Sequence, residues 1–452
     1  MISPARVAAY EILTAVSSGR SDLATASATA RASLGDDRDR ALATEIATGV
    51  QRWRASLDHV IQAFAKRPLE RLDPEIVEIL RLGVYQLLHL TRVPASAVVD
   101  DAVDLARRAG KKSAAGFVNA ILRTVSRKRE ALPLPMRPSD STDRAAALDY
   151  FSITLSHPRW LATRWYDRLG FDAAERWLLF DNEPPPLTLR ANRPRVAGAE
   201  FNRLLIADEG LRVRPSALVP GALVVEAGSA VRVVDEGVAM IQDEASQIVG
   251  LLAADAAATR HRVLDACAAP GGKTVMMAAA MAEGGRLVAS DVRERRMGLL
   301  RRTVTASGAA NVRFAQADLL KPLPFSSPFD LVVVDAPCSG LGTLRRDPDI
   351  RWRRHEADLA PLAAAELTML QRAADAVAPG GLLIYATCSS EPEENEGVAD
   401  AFRATTPRAV PVHAREVSST IPDAVIDARG HVRTQPDPHR LEAFFAAVFR
   451  VQ

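Results

Sequence analysis

Arg262-Val-Leu-Asp-Ala-Cys-Ala-Ala-Pro-Gly-Gly-Lys273 is the stretch on which the fold turns. Arg262–Cys267 is a short apolar run that reads as a buried parallel strand, and Ala268–Lys273 makes a tight glycine turn into a helix. Glycine lets the backbone approach a ligand closely, and a helix N-terminus favours a negative group. The same strand-then-helix pattern recurs downstream at Arg286–Asp291, Val312–Asp318, Phe329–Pro337 and Gly380–Cys388, with a last strand in Phe444–Val451. Short apolar strands separated by helices imply βαβ units, hence an α/β, doubly wound parallel sheet over 237–452. Ligands of such sheets bind at the C-terminal strand ends.

Those ends carry the chemistry. The turn lacks the G-x-G-x-x-G spacing of dinucleotide folds, which disfavours an NAD-dependent oxidoreductase. Gly271-Gly272-Lys273-Thr274 resembles the tail of a P-loop, but no glycine stands five residues before Gly272, so an ATPase is disfavoured too. Asp291 ends the second strand, where an acid would meet the two hydroxyls of a ribose, and Asp318 ends the third, placed for an adenine edge. Either acid alone could be a helix cap; with the glycine turn they indicate a nucleoside cofactor. The fourth strand ends in Asp335-Ala-Pro-Cys338 and the fifth in Thr387-Cys388-Ser389.

The chain has only three cysteines, Cys267, Cys338 and Cys388, and all follow these strands. A lone buried cysteine is usually an inert small hydrophobe. Two at adjacent strand ends beside a cofactor pocket suggest covalent chemistry. A pyrimidine needs such a nucleophile: thiolate addition to carbon 6 pushes electron density onto carbon 5, which can then accept a methyl group. A second group must assist loss of the carbon-5 proton and elimination of the enzyme.

Composition is that of a soluble globular protein, long enough for several domains. No apolar run of about 18 residues lacks charges, and the N-terminus has no signal-peptide pattern. Few, scattered cysteines imply a reducing cytoplasm and no disulfide framework; none has zinc-ligand spacing, so no metal is expected. The net charge of +2 is uninformative, but its distribution is not. Basic residues crowd the stretch from Arg107 to Arg129, and Arg345, Arg346, Arg351, Arg353 and Arg354 surround Trp352. Basic side chains interleaved with an aromatic suit a nucleic-acid backbone and a stacked base; the bland alternative is a solvated face.

Upstream of the sheet, residues 1–130 read as an all-helical domain. Asp73-Pro74 supplies a cap and a first-turn proline, and Ile76, Ile79, Leu80, Val84, Leu87 and Leu88 follow at helical spacing. Ser96 is a second candidate cap, and Phe117, Val118, Ile121, Leu122 and Val125 form another apolar stripe. Residues 131–144 hold a proline-rich linker, and 145–236 mix helix and strand signals in a small α+β unit expected to recognise RNA.

Cys267-Ala-Ala-Pro-Gly-Gly-Lys273, Asp335-Ala-Pro-Cys-Ser-Gly340 and Thr387-Cys388-Ser389, with Gln242–Gln247 and Asp347–Arg353, resemble the motifs of S-adenosylmethionine-dependent RNA 5-methylcytosine methyltransferases. The helical domain resembles NusB around Asp37–Arg40, Leu80–Gln86 and Phe117–Arg123. A NusB-like domain ahead of this Rossmann-like methyltransferase resembles the bacterial Sun/RsmB enzymes of 16S ribosomal RNA, whose usual site is cytosine 967. The resemblance implies that Cys267, Ala268, Ala269, Pro270, Gly271, Gly272, Lys273, Asp291, Asp318 and Asp335 contact S-adenosyl-L-methionine. It makes Cys388 the nucleophile and Cys338 the release group, with Asp335 on the cytosine edge and Lys273 near the base or the nucleophile. It further implies 16S RNA in an unassembled or partly assembled small subunit as partner, with a monomer favoured. Transfer RNA is the alternative substrate, and a non-catalytic RNA-binding or antitermination-type factor the alternative of another class. One departure stands out: Ala443 in Glu442-Ala-Phe-Phe445 occupies a position where the family tends to have glycine, and would be strained if that position needs a positive φ.

Overall fold

The computed structural model describes residues 2–452, which divide into two compact units. The first runs to Pro184 and also takes in Leu344–Glu356; the second comprises Pro185–Thr343 and Ala357–Gln452.

The first unit is helical. Seven helices run from Pro4–Ser17 to Ala115–Lys128, and the predicted stripes point inward. Ile76, Ile79, Leu80, Val84, Val118, Leu122 and Val125 are buried in one core. Each large aliphatic side chain buried there contributes roughly 1.5–3 kcal/mol. Two caps differ from expectation. The helix Ala95–Arg108 starts one residue before Ser96, with Pro94 in the cap position. Asp73 occupies the cap position of Pro74–His89 but makes no side-chain cap bond; its carboxylate lies 3.3 Å from Lys111 Nζ instead. Helices Arg159–Leu169 and Phe171–Asn182, grouped by sequence with the strands that follow them, fall in this first unit.

The second unit contains two sheets. Strands β1 (Thr188–Ala191), β2 (Leu211–Pro215), β3 (Ala222–Gly228) and β4 (Ala239–Ile241) form an antiparallel sheet in the order β2-β3-β1-β4. The mixed strand signals of 145–236 resolve into these four strands, of which β2 is a mostly exposed Leu-Arg-Val-Arg-Pro edge and β4 has only three residues. The larger sheet holds β5 (Arg262–Asp265), β6 (Arg286–Asp291), β7 (Val312–Gln316), β8 (Phe329–Asp335), β9 (Val377–Thr387), β10 (Ala409–Val412), β11 (Val432–Thr434) and β12 (Phe444–Val451). Its order is β10-β12-β9-β8-β5-β6-β7, with β11 paired to β12. The pairs from β9 through β7 are parallel, as expected of a doubly wound sheet, whereas β12 runs antiparallel to β9, β10 and β11.

Alternate residues of each central strand enter opposite cores. Val263, Leu331, Val333, Leu382 and Ile384 face one side, while Leu264, Val332, Val334, Leu383 and Tyr385 face the other. Burial on both faces explains why these strands read as continuous apolar runs. The chain passes from β5 to β6 and β7 on one side, then returns to β8 on the other. That reversal opens a crevice beyond the ends of β5 and β8, the usual ligand position of an open α/β sheet.

Candidate active site

At the end of β5 the chain enters the turn Ala266–Gly271 and then the helix Gly272–Ala280. Gly271 has φ +111°, and a Cβ there would lie 3.0 Å from Leu300 and 3.3 Å from Thr303, so only glycine closes the turn without strain. Beneath it Thr274 Oγ1 donates to Asp265 Oδ2 at 2.6 Å. Burial pushes the Asp265 carboxyl up to about 7 against that hydrogen bond. Cys267 is also raised, first by burial and then by Asp291, Asp265 and Asp335, which makes its sulfur an inert part of the turn.

Asp291 ends β6 and is buried; its Oδ2 lies 3.2 Å from Arg296 Nε and accepts a 3.4 Å bond from Ala269 N–H. Arg296 also donates to Ala269 O at 2.8 Å, tying the turn to the acid. Asp318 does not end its strand as expected. β7 stops at Gln316, and Asp318 opens a turn in which its Oδ1 accepts from Leu320 N–H at 3.1 Å. Val292, next to Asp291, and Leu320, two residues after Asp318, are 49% and 43% exposed. Glycine turn, buried acid, turn acid and two exposed apolar side chains fit an adenosyl group, whose ribose needs acceptors and whose base needs apolar cover.

β8 and β9 are parallel neighbours with Asp335 opposite Ala386, which sends both thiol loops out of the same sheet edge. Cys338 Sγ and Cys388 Sγ are 3.4 Å apart, although separated by 50 positions in sequence. The hydrogen bond to Cys388 and burial raise the Cys338 pKa well above the ordinary thiol value, and the two sulfurs share one hydrogen bond in which either can be the donor. Lys273 Nζ donates to Asp335 Oδ2 at 2.7 Å and lies 5.5 Å from the Phe444 ring centre. Burial alone would lower the Lys273 pKa, but Asp335 and then Cys388 hold it above its usual value. The Lys273 ammonium is thus a buried charge within electrostatic reach of Asp335 and Cys388. Cys338, Cys388, Asp335 and Lys273 form one group, while Cys267, Asp291 and the glycine turn form the adjoining one.

Ala443 is buried and is not among the residues with positive φ, so it carries none of the strain that a glycine-requiring position would impose. Its N–H donates to Gly342 O at 2.9 Å, and Gly342 N–H donates to Cys388 O at 2.9 Å. Arg345, Arg351 and Trp352 of the basic cluster are a correction. Arg351 is fully buried, Arg345 pairs with Glu183 at 3.2 Å and lies over Phe180, and Trp352 Nε1 donates to Gln51 O. These groups are spent on packing inside the first unit and do not form an open stacking surface.

Sequence reasoning also missed Arg296 and Glu394. Arg296 has no motif around it. Glu394 sits in Glu391-Pro-Glu-Glu-Asn-Glu396, which reads as a solvated charge run, yet Glu391 and Glu394 are both 0% exposed. The nearby Thr-Cys-Ser motif was the available signal.

Comparison with known proteins gives three domain matches. Residues 253–450 match the family described as 16S rRNA methyltransferase RsmB/F, 3–127 the NusB family, and 157–232 the ferredoxin-like domain of RsmF/B-like methyltransferases. A Mycobacterium tuberculosis protein that carries a methyltransferase name is 37% identical over 99% of this chain and 97% of its own length. The ribosomal RNA small subunit methyltransferase B of Pseudomonas putida is 34% identical over 89% of this chain and 90% of that protein. Among solved structures, PH0851 superposes with a TM-score of 0.79 at 25% identity, covering 99% of both chains.

Proposed function

The chain belongs to the RsmB/F family of 16S rRNA methyltransferases, and from that premise we propose that it methylates carbon 5 of a cytosine in 16S ribosomal RNA. The observation that carries this reading is the 3.4 Å approach of Cys338 and Cys388 at the ends of neighbouring parallel strands. A methyl transfer to oxygen or to an exocyclic nitrogen needs no thiol, whereas carbon 5 of cytosine needs one nucleophile and one release group.

S-adenosyl-L-methionine, held by residues 267–273, Asp291, Asp318 and Asp335, supplies an electrophilic methyl carried on a sulfonium. The residues of the chain do the rest. Cys388, with the Lys273 ammonium nearby, adds through sulfur to carbon 6 of the base and turns carbon 5 into a nucleophile. Asp335, already oriented by Lys273, faces the exocyclic amine and ring nitrogen of the cytosine. Once carbon 5 is methylated, its proton passes to the Cys338 sulfur, the electron pair left behind restores the ring double bond, and the bond between Cys388 and carbon 6 breaks to return Cys388 as thiolate. The target cytosine must be unstacked, because attack at carbon 6 needs access to the ring face.

Bisulfite sequencing of ribosomal and transfer RNA from a deletion strain tests the substrate. Loss of one or more 5-methylcytosines from 16S RNA is expected; loss confined to transfer RNA, or none, overturns the assignment. For the thiols, Cys388→Ala is expected to abolish methylation and covalent RNA adducts. Cys338→Ala is expected to accumulate a denaturation-resistant protein–RNA complex on a denaturing gel. The opposite pattern would interchange their roles.

A further inference from the structure

We propose that Glu394 is a positioning residue that fixes the distance between the two thiols; the proposal rests on the reaction assigned above. Its carboxylate is completely buried and accepts three hydrogen bonds: from Ser339 N–H at 2.6 Å, Ser339 Oγ–H at 2.5 Å and Ser389 Oγ–H at 2.5 Å. Ser339 directly follows Cys338, and Ser389 directly follows Cys388. One side chain therefore ties together two loops that leave different strands. The two serine hydroxyls are themselves 3.2 Å apart.

The support behind Glu394 is equally built. Tyr385 Oη donates to the Glu394 carbonyl at 2.5 Å, and Asn395 Nδ2 donates to Ser389 O at 3.0 Å, which pins the segment back onto β9. Burying a carboxylate costs several kcal/mol unless its oxygens are well bonded. The carboxylate accepts from both serine hydroxyls and the Ser339 N–H at once, which two hydroxyls facing each other could not do. It accepts only, and every group facing it in these three bonds is a donor. Glutamine in its place would turn an NH2 group toward either the Ser339 N–H or the hydroxyls.

The chemistry gives the distance a purpose. Nucleophile and release group act on carbon 6 and carbon 5, which are bonded neighbours in one ring, so the two sulfurs must stay close. A misplacement of about 1 Å in such an arrangement can cost about a hundredfold in rate.

The test compares Glu394→Gln, Glu394→Asp and Ser389→Ala in the full-length enzyme with a 16S RNA fragment and S-adenosylmethionine. For Glu394→Gln, kcat should fall about a hundredfold while KM for RNA and calorimetric cofactor affinity stay within about twofold. Ser389→Ala should lose about tenfold, adding little in the double variant, and Glu394→Asp should recover part of the loss, since it keeps the acceptor charge. A kcat of Glu394→Gln within about threefold of the parent, or a parallel loss of kcat and cofactor affinity, overturns the proposal. Should Glu394→Gln fail to fold, an unchanged kcat in Ser389→Ala overturns it equally. Cys388→Ala runs alongside: if that variant still methylates, the assigned reaction fails; if it is dead while Glu394→Gln is normal, only the positioning role fails.

Discussion

Glu366 is a carboxyl with no exposed surface, placed where Tyr385 Oη lies 2.9 Å from its Oε2. Burial, and then the neighbouring Glu394 and Cys338, raise it to about 10, so it is a neutral acid at pH 7. Because its folded pKa is raised, the stability linked to it is fully present below the unfolded carboxyl value and is lost as pH rises toward the folded one. Between those limits the native state holds one proton more than the unfolded chain, and this group lowers stability by about 1.4 kcal/mol per pH unit. Glu366→Gln lacks that proton and should flatten the decline. Urea unfolding at pH 7 and pH 9 checks it: parallel declines in parent and variant would contradict the expectation. Cys388 and Cys338 were legible in sequence because proline, glycine and serine flank them at strand ends. Glu366 and Glu394 were not, because an acid in a helix or in an acidic run carries no local sign that it will be buried.

The loop between Cys338 and the first unit's segment shows what elements add. Gly342 sits between two other strand ends, bonded to Cys388 O on one side and Ala443 N on the other. A Cβ at this position would come 2.0 Å from Ala443 O and 2.8 Å from Cys388 O, both backbone atoms that cannot rotate away. Gly342→Ala should cost about 1–3 kcal/mol of stability and reduce adduct formation as the Cys388 loop is displaced. Thermal unfolding with a covalent-trapping gel measures both; an unperturbed variant would mean the loop yields freely. The central parallel strands β5, β8 and β9 were readable because burial on both faces makes them apolar runs. β10 and β11 were not: each is only three or four residues long and exists through pairing with β12.

In the whole molecule, Leu344–Glu356 leaves the sheet-bearing unit's sequence and folds within the helical one. Arg351 is the anchor of that segment. Its Nη1 donates to Ser156 O at 3.0 Å and to Asn182 Oδ1 at 2.9 Å, and its Nη2 to Asp181 O at 3.3 Å. Ser156 is buried with φ +56°, a backbone state rare outside glycine that the surrounding bonds hold in place. Burial lowers Arg351 to about 9 despite Asp181, which still leaves it charged at neutral pH. Arg351→Met should destabilise the protein by about 3–5 kcal/mol, because the carboxyl and carbonyl groups around it lose their cation. Equilibrium urea unfolding decides this, and a change below about 1 kcal/mol would show that the anchor is dispensable.

Local pattern by itself determined the helical first domain, the doubly wound sheet and the strand ends bearing the glycine turn, Asp291, Asp335, Cys338 and Cys388. These follow from the period of apolar residues and from turn chemistry, which are properties of neighbours in the chain. Only the tertiary structure decided that the two sulfurs touch, that Glu394 joins their loops, and that Arg345 and Arg351 beside Trp352 are packed inside a helical unit. Those outcomes depend on which distant groups meet a side chain and whether water is excluded from it, and no run of adjacent residues encodes that.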